Sequence, residues 1–165
     1  MPAPTPPTPG TARDGRLSYA AFQLARAHRG YAAAMLREMD LHPGQELLLM
    51  QLLDRDGQTQ AELLDSVGLD HSTVSKSLRR MQEAGLLTRH PAEHDRRVMV
   101  VHLTDKGRAL QEPLAAMWRT LEETSVRDLS ADEAETFVSA AHTITNALAH
   151  RGPAADVKGP EAGGK

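Results

Sequence analysis

Residues 59–87 read TQAELLDSVGLDHSTVSKSLRRMQEAGLL, and their pattern decides the fold. Thr59 and Glu62 stand three apart at the head of an apolar run. That is the pattern of a capping box, in which hydroxyl and carboxylate each satisfy a free N–H at a helix start. Leu63, Leu64 and Val67 then form one buried helical face. Gly68 supplies a tight turn, and Asp70 suits the cap of a second helix with Val74, Leu78 and Met81 on its inner face. Gly85 closes that helix. The stretch predicts two short helices joined by a glycine turn.

The character changes at Leu86. The segments 86–90 and 97–103 are short and extended in composition, and Pro91 to Arg96 separates them as a polar six-residue tip. This reads as a β-hairpin. Thr104 then caps a long predicted helix carrying Leu110, Leu114, Met117 and Leu121, which Pro113 should bend by removing one backbone donor. A second capping box, Ser130 to Glu133, opens a last helix with Ala134, Phe137, Ala141, Ile144 and Leu148 in line. On the N-terminal side, Pro43 suits the first turn of a helix running to about Leu53, and Gly57 ends it. Before it, Leu17, Leu24, Tyr31 and Met35 recur at helical spacing up to about Met39.

Composition agrees with a mainly helical chain. Tyr19, Phe22, Tyr31, Trp118 and Phe137 are all the aromatics in 165 residues, so the core must be built from Leu, Val, Ala and Met, which favours helices over a β-sandwich. Cysteine is absent, which excludes disulfides, thiol redox switches and thiolate metal sites. No run of about 18 apolar residues suggests a membrane span, and the opening MPAPTPPTPG lacks the basic start and apolar run of a secretory signal. A cytoplasmic protein is expected. No phosphate loop, nucleophile elbow, metalloprotease motif or dinucleotide glycine pattern appears, so an enzyme is not expected.

Two helices with a glycine turn, followed by a hairpin, make a winged helix-turn-helix pattern. The second helix has the width of the DNA major groove. Its outer face carries His71, Ser72, Thr73, Ser75, Lys76, Arg79 and Arg80. The first turns usually meet base edges. Lys76 or Arg79 suits guanine and Arg80 a phosphate, while Ser and Thr suit either bases or phosphates. Such a face also occurs on ordinary solvated helices; the hairpin tip beside it favours double-stranded DNA. There Arg96 and Arg97 follow Asp95, and an arginine on a projecting loop can enter a narrow minor groove. Asp95 is expected to hold an arginine by a bidentate salt bridge and pre-aim it. The net charge of −3 hides an uneven distribution. Residues 70–97 hold Lys76, Arg79, Arg80, Arg89, Arg96 and Arg97 against Asp70, Glu83, Glu93 and Asp95.

The run Asp95-Arg96-Arg97-Val98-Met99-Val100-Val101-His102-Leu103-Thr104 resembles the MarR family signature of Asp, any residue, Arg, five residues, then Leu-Thr. Residues 59–87 are similar to that family's helix-turn-helix. Leu41-His42-Pro43 is similar to its Leu-Thr-Pro opening of the second helix, with His42 where Thr is commoner. The resemblance covers about residues 17–150. It implies a homodimer in which the first and last helices of each chain intertwine. It also implies Arg97 in the minor groove with Arg96 on a phosphate, a short pseudo-palindromic operator, and release by a small, often phenolic, effector. By the same analogy His28, Tyr31, Met50 and Trp118 are candidate effector-lining residues, although each also suits plain core packing.

The apolar stripes on the first and last helices point to the homodimer independently, since one chain has little else to cover both; mutual covering within a monomer is the competing reading. His90 and His94, four apart on the wing, do not present two nitrogens to one ion, so no metal or other cofactor is expected. The expected organisation is a tail at 1–15, a winged helix-turn-helix domain at 16–150 and a tail at 151–165, both tails disordered for want of apolar residues. Within the domain, helices at 16–40 and 104–150 serve dimerisation and a lobe at 43–103 binds DNA. The expected function is a DNA-binding transcriptional regulator, and most specifically a ligand-responsive repressor. A winged-helix module for protein contacts and a histidine-based metal-responsive regulator are the alternatives.

Overall fold

A computed structural model describes residues 8–93 and 95–150. A short 3-10 helix, Gly10–Gly15, leads into α1 (Arg16–Glu38), so part of the stretch read as an N-terminal tail is helical. There follow α2 (Gln45–Asp54), β1 (Gln58–Thr59), α3 (Gln60–Val67), α4 (His71–Glu83), β2 (Leu87–Pro91), β3 (Met99–Leu103), α5 (Asp105–Arg108), α6 (Gln111–Val126) and α7 (Ala131–His150). The remaining residues of the two expected tails, 1–7 and 151–165, lie outside the described residues. No described helix is long and apolar enough to cross a membrane. The chain divides into two compact units, Met1–Leu121 and Glu122–Lys165.

The first unit is organised around one aliphatic core. Leu36 and Leu41, then Leu48, Leu49 and Leu52 of α2, Leu63 of α3, and Val74, Leu78 and Met81 of α4 meet Leu86, Leu87, Val101, Leu103, Leu114 and Met117. The core is free of aromatic side chains, as composition required. Burying a leucine of this kind contributes about 1.5–3 kcal/mol, which is what holds α4 by its inner face while its outer face stays in solvent.

Local chemistry sets the element ends. Thr59 and Glu62 form the expected capping box, and Asp70 accepts from Thr73 N–H at the head of α4. Gly85, at φ 73°, ends α4 in a Schellman motif: Gly85 N–H bonds to Gln82 O and Leu86 N–H to Met81 O. Leu86 therefore belongs to the helix stop and not to the strand. Pro43 does not start α2. It occupies the second position of a turn closed by Gln45 N–H on His42 O, with Gly44 at φ 93° and ψ −20°, the type II geometry that proline and glycine favour in that order.

The sheet is antiparallel in the order β1-β3-β2. Leu87 faces Leu103 and Pro91 faces Met99 across the hairpin. Pro91 is thus a strand residue and not part of the tip, tolerated because β2 is an edge strand. At the other end of the tip, Arg97 lies in the turn and β3 begins at Met99. The two-residue strand β1, absent from the sequence reading, pairs Gln58 with Val101 and Thr59 with Val100.

The long helix expected after Thr104 is two helices. Thr104 caps α5 as predicted, accepting from Gly107 N–H, but the chain breaks at 109–110. Pro113 has no N–H for Ala109 O and its ring crowds that carbonyl, so it belongs in the first turn of a fresh helix. In the second unit, Ser130 and Glu133 form the other capping box at the head of α7.

Gly107 sits where α5 crosses the start of the wing. A β-carbon there would fall well inside contact distance of the Leu86 carbonyl oxygen and would also press on Leu103. Gly107→Ala is expected to lower the free energy of unfolding by about 1–3 kcal/mol, read from urea denaturation; an unchanged midpoint would show that α5 can move away at no cost.

Candidate nucleic-acid interface

The outer face of α4 presents the residues read from the sequence. His71, Ser72, Lys76, Arg79 and Arg80 are exposed, and Thr73 and Ser75 half-buried. Arg79 leans on Glu83 one turn along at 3.7 Å, an exposed pair of little energetic weight. Lys76 and Arg80 form no ion pair among the described residues. The first turn is more constrained: Ser72 Oγ donates to Asp70 Oδ1 at 2.7 Å, and Thr73 Oγ1 donates to Asp70 Oδ2 at 2.5 Å.

The wing tip carries Asp95, Arg96 and Arg97, all exposed. Asp95 has a different role from the one expected. Its carboxylate accepts the backbone N–H of Arg97 at 2.9 Å, and Val98 N–H closes a turn on Asp95 O at 3.0 Å. Asp95 makes no ion pair with either arginine among the described residues. An aspartate two residues before an N–H satisfies it through a local Asx turn, so Asp95 fixes the backbone from which both arginines project instead of gripping a guanidinium. His94 lies outside the described residues.

Six hydrogen bonds that sequence spacing does not reveal brace α4, the wing and the segments beside them. Arg89 Nε of β2 donates to Gln82 Oε1 of α4 at 2.6 Å. Lys106 Nζ and Thr104 Oγ1 donate to Ala84 O and Gly85 O, at 2.8 and 2.6 Å, at the carbonyl end of α4, where a cation also meets the negative end of the helix dipole. Asp56, after α2, accepts from Leu103 N–H at 2.8 Å, from His102 Nδ1 at 3.2 Å and from Arg108 at 2.8 Å. Partial burial pushes the Asp56 carboxyl up, but the bonds from Leu103 N–H, His102 and Arg108 outweigh it and hold it below its ordinary value.

The four effector candidates do not form one group of contacts. Trp118 Nε1 donates to Met50 Sδ at 3.2 Å. His28 is half-buried and Tyr31 exposed, both on α1. An open hollow of about 400 Å³ lies elsewhere in the first unit, between α2 and α3, lined by residues that include Arg55, Gln58 and Glu62. Among the described residues no three His, Asp or Glu side chains are grouped to hold a metal ion.

A three-stranded sheet beside a cationic helix, with an arginine-tipped hairpin, defines a winged helix-turn-helix protein. Residues 39–98 match the model of the MarR family. The regulator MgrA of Staphylococcus aureus is 29% identical over 101 residues, 61% of this chain and 69% of its own length. The crystal structure of the S. aureus MepR–DNA complex superposes with a TM-score of 0.73 at 26% identity, covering 79% of this chain and 97% of that one. PcaV from Streptomyces coelicolor, in complex with its natural ligand, gives 0.72 at 25%, covering 87% and 99%. The chain is thus similar to MarR-family proteins through its winged helix-turn-helix, and the relatives it matches are transcriptional regulators.

Because folding depresses the Asp56 pKa, its bonds stabilise the fold above the ordinary carboxylate range, and that contribution is lost as pH falls through the folded pKa. Asp56→Asn is therefore expected to be less stable than the parent at pH about 7, with the gap closing toward pH about 3. Urea midpoints across that range measure it, and a gap independent of pH would remove Asp56 from this role.

Proposed function

We propose that the chain is a homodimeric, ligand-responsive repressor that reads a pseudo-palindromic operator. The observation that carries this reading is the exposed row on α4, held by its inner face to the core and by Arg89 and Gln82 to a wing whose tip bears Arg96 and Arg97. Lys76 and Arg79 reach toward bases and Arg80 toward a phosphate, while Arg97 enters the minor groove and Arg96 meets the backbone. The MepR–DNA complex supports the same use of the same fold.

The dimer is supported by apolar side chains left in solvent within a single chain. On α1, Leu17, Phe22 and Leu24 are 61%, 58% and 48% exposed; on α7, which has no buried residue, Phe137 and Leu148 are 51% and 69% exposed. Amphipathic helices of this kind seek a partner surface. Helices at 16–40 and 104–150 would then pair two copies, leaving the lobe at 43–103 for DNA, and two-fold symmetry would present two copies of α4 to one face of the duplex. The natural-ligand complex of PcaV supports an effector, and the joined Met50 and Trp118, with His28 and Tyr31, remain the proposed contacts for a small aromatic or phenolic molecule. An effector that binds better to a state with the two copies of α4 differently spaced releases the DNA by shifting the population.

Gel-shift titration against the DNA upstream of its own gene, with a scrambled competitor and varied salt, tests the reading. Specific retardation that weakens steeply with salt is expected, because neutralised phosphates release counterions. Arg97→Ala should lower affinity about tenfold or more while the dimer persists on size exclusion. Binding indifferent to both sequence and salt would favour a protein-contact module.

A further inference from the structure

The first turn of α4 carries two hydroxyls, and both are tethered to one carboxylate. Ser72 Oγ lies 2.7 Å from Asp70 Oδ1 and Thr73 Oγ1 lies 2.5 Å from Asp70 Oδ2, while Thr73 N–H takes Oδ1 at 2.9 Å. The direction of these bonds is fixed by chemistry. An ionised carboxylate only accepts, so each hydroxyl must donate. Asp70 is ionised at neutral pH: the bond from the Thr73 hydroxyl, then that from Ser72, then Thr73 N–H hold it far below the usual carboxylate range.

A hydroxyl has one proton to give and two lone pairs. With the proton committed to Asp70, only lone pairs remain for a ligand. Phosphate oxygens are acceptors, so neither hydroxyl can bond to them, and the Asp70 charge beside them repels a phosphate further. Base edges differ. In the major groove adenine N6 and cytosine N4 donate, whereas guanine O6 and N7 and thymine O4 accept.

We propose that Asp70 is a specificity-determining positioning residue, which takes the hydroxyl protons of Ser72 and Thr73 and presents both groups to the major groove as acceptors only. These two hydroxyls then select the amino-bearing edge of adenine or cytosine and are barred from phosphates. This rests on the DNA-reading role proposed above. It also removes an ambiguity of the sequence, in which Ser and Thr suit bases and phosphates alike.

Asp70→Asn tests it with almost no change of shape. The amide oxygen keeps the bonds to Thr73 N–H and Ser72, and asparagine caps a helix as well as aspartate does. The amide nitrogen, in place of Oδ2, donates to Thr73 Oγ1 and turns that one hydroxyl proton outward. The full chain, D70N, T73V and the double variant would each select from a pool of randomised duplexes, with the bound fraction sequenced. The parent should enrich a motif with an adenine or cytosine preference at one position of each half-site. D70N should shift that position toward guanine or thymine by about fivefold, the scale of one hydrogen bond, with the other positions unchanged. T73V should lose the preference, and the double variant should match T73V.

Identical motifs for the parent and D70N would overturn the inference while leaving the DNA-reading role standing. A double variant that differs from T73V at that position would also overturn it, by showing that residue 70 touches the base itself. No enrichment by the parent would overturn the DNA-reading role and the inference with it. Melting curves record the cap separately, since a weakened cap lowers affinity at all positions alike and swaps no base.

Discussion

The Leu86 carbonyl is where α4, the wing and α5 meet. Leu86 closes the Schellman motif of α4 through its N–H, and its oxygen accepts Thr104 N–H at 3.1 Å. Only a glycine at 107 lets α5 come that close. Thr104 and Lys106 add bonds to the last carbonyls of α4 from the same side. One backbone position thereby fixes the angle at which the wing leaves the helix. Asp56 braces the same end of the central strand by its bond to Leu103 N–H, one residue before Thr104. The end of the sheet away from the tip is therefore braced twice, and Arg89 with Gln82 adds a side-chain tie between helix and wing.

Charge is arranged to match. The chain as a whole is acidic, yet the outer face of α4 and the wing tip hold Lys76, Arg80, Arg96 and Arg97 without an ion pair among the described residues. Two carboxylates flanking these cations serve the backbone: Asp70 caps α4 and Asp95 takes an N–H in the wing turn. Neutralising an arginine with either carboxylate would subtract from the field that attracts a polyanion. Spent on N–H groups, both carboxylates stay charged but leave the cationic side chains free to meet a partner.

Much of this was legible because it is local. Capping boxes at Thr59 and Ser130, the cap at Asp70 and the glycines at 68 and 85 act within four residues, and the inner faces of α3 and α4 follow a helical period. The α4 and tip residues were legible as types on a face. What was not legible depends on distant partners. Asp56 meets His102, Leu103 and Arg108 from about fifty positions away, and β1 exists because β3 offers it an edge. The role of Asp95 was misassigned because a nearby guanidinium and a nearby N–H look alike in one dimension. The break before α6 was read as a bend because the effect of Pro113 depends on where the helix starts.

The single tryptophan gives the protein a property apart from any contact with DNA. The core is aliphatic, so Trp118 has no buried counterpart, and its indole N–H rests on the Met50 sulfur at a partly exposed seam between α6 and α2. A thioether is polarisable and contacts aromatic rings closely, so the emission of that indole is tied to one helix–helix seam. The chain carries a built-in optical gauge of how α6 rides on the helix beneath it, readable with no label and no second chromophore of its kind to confuse the signal.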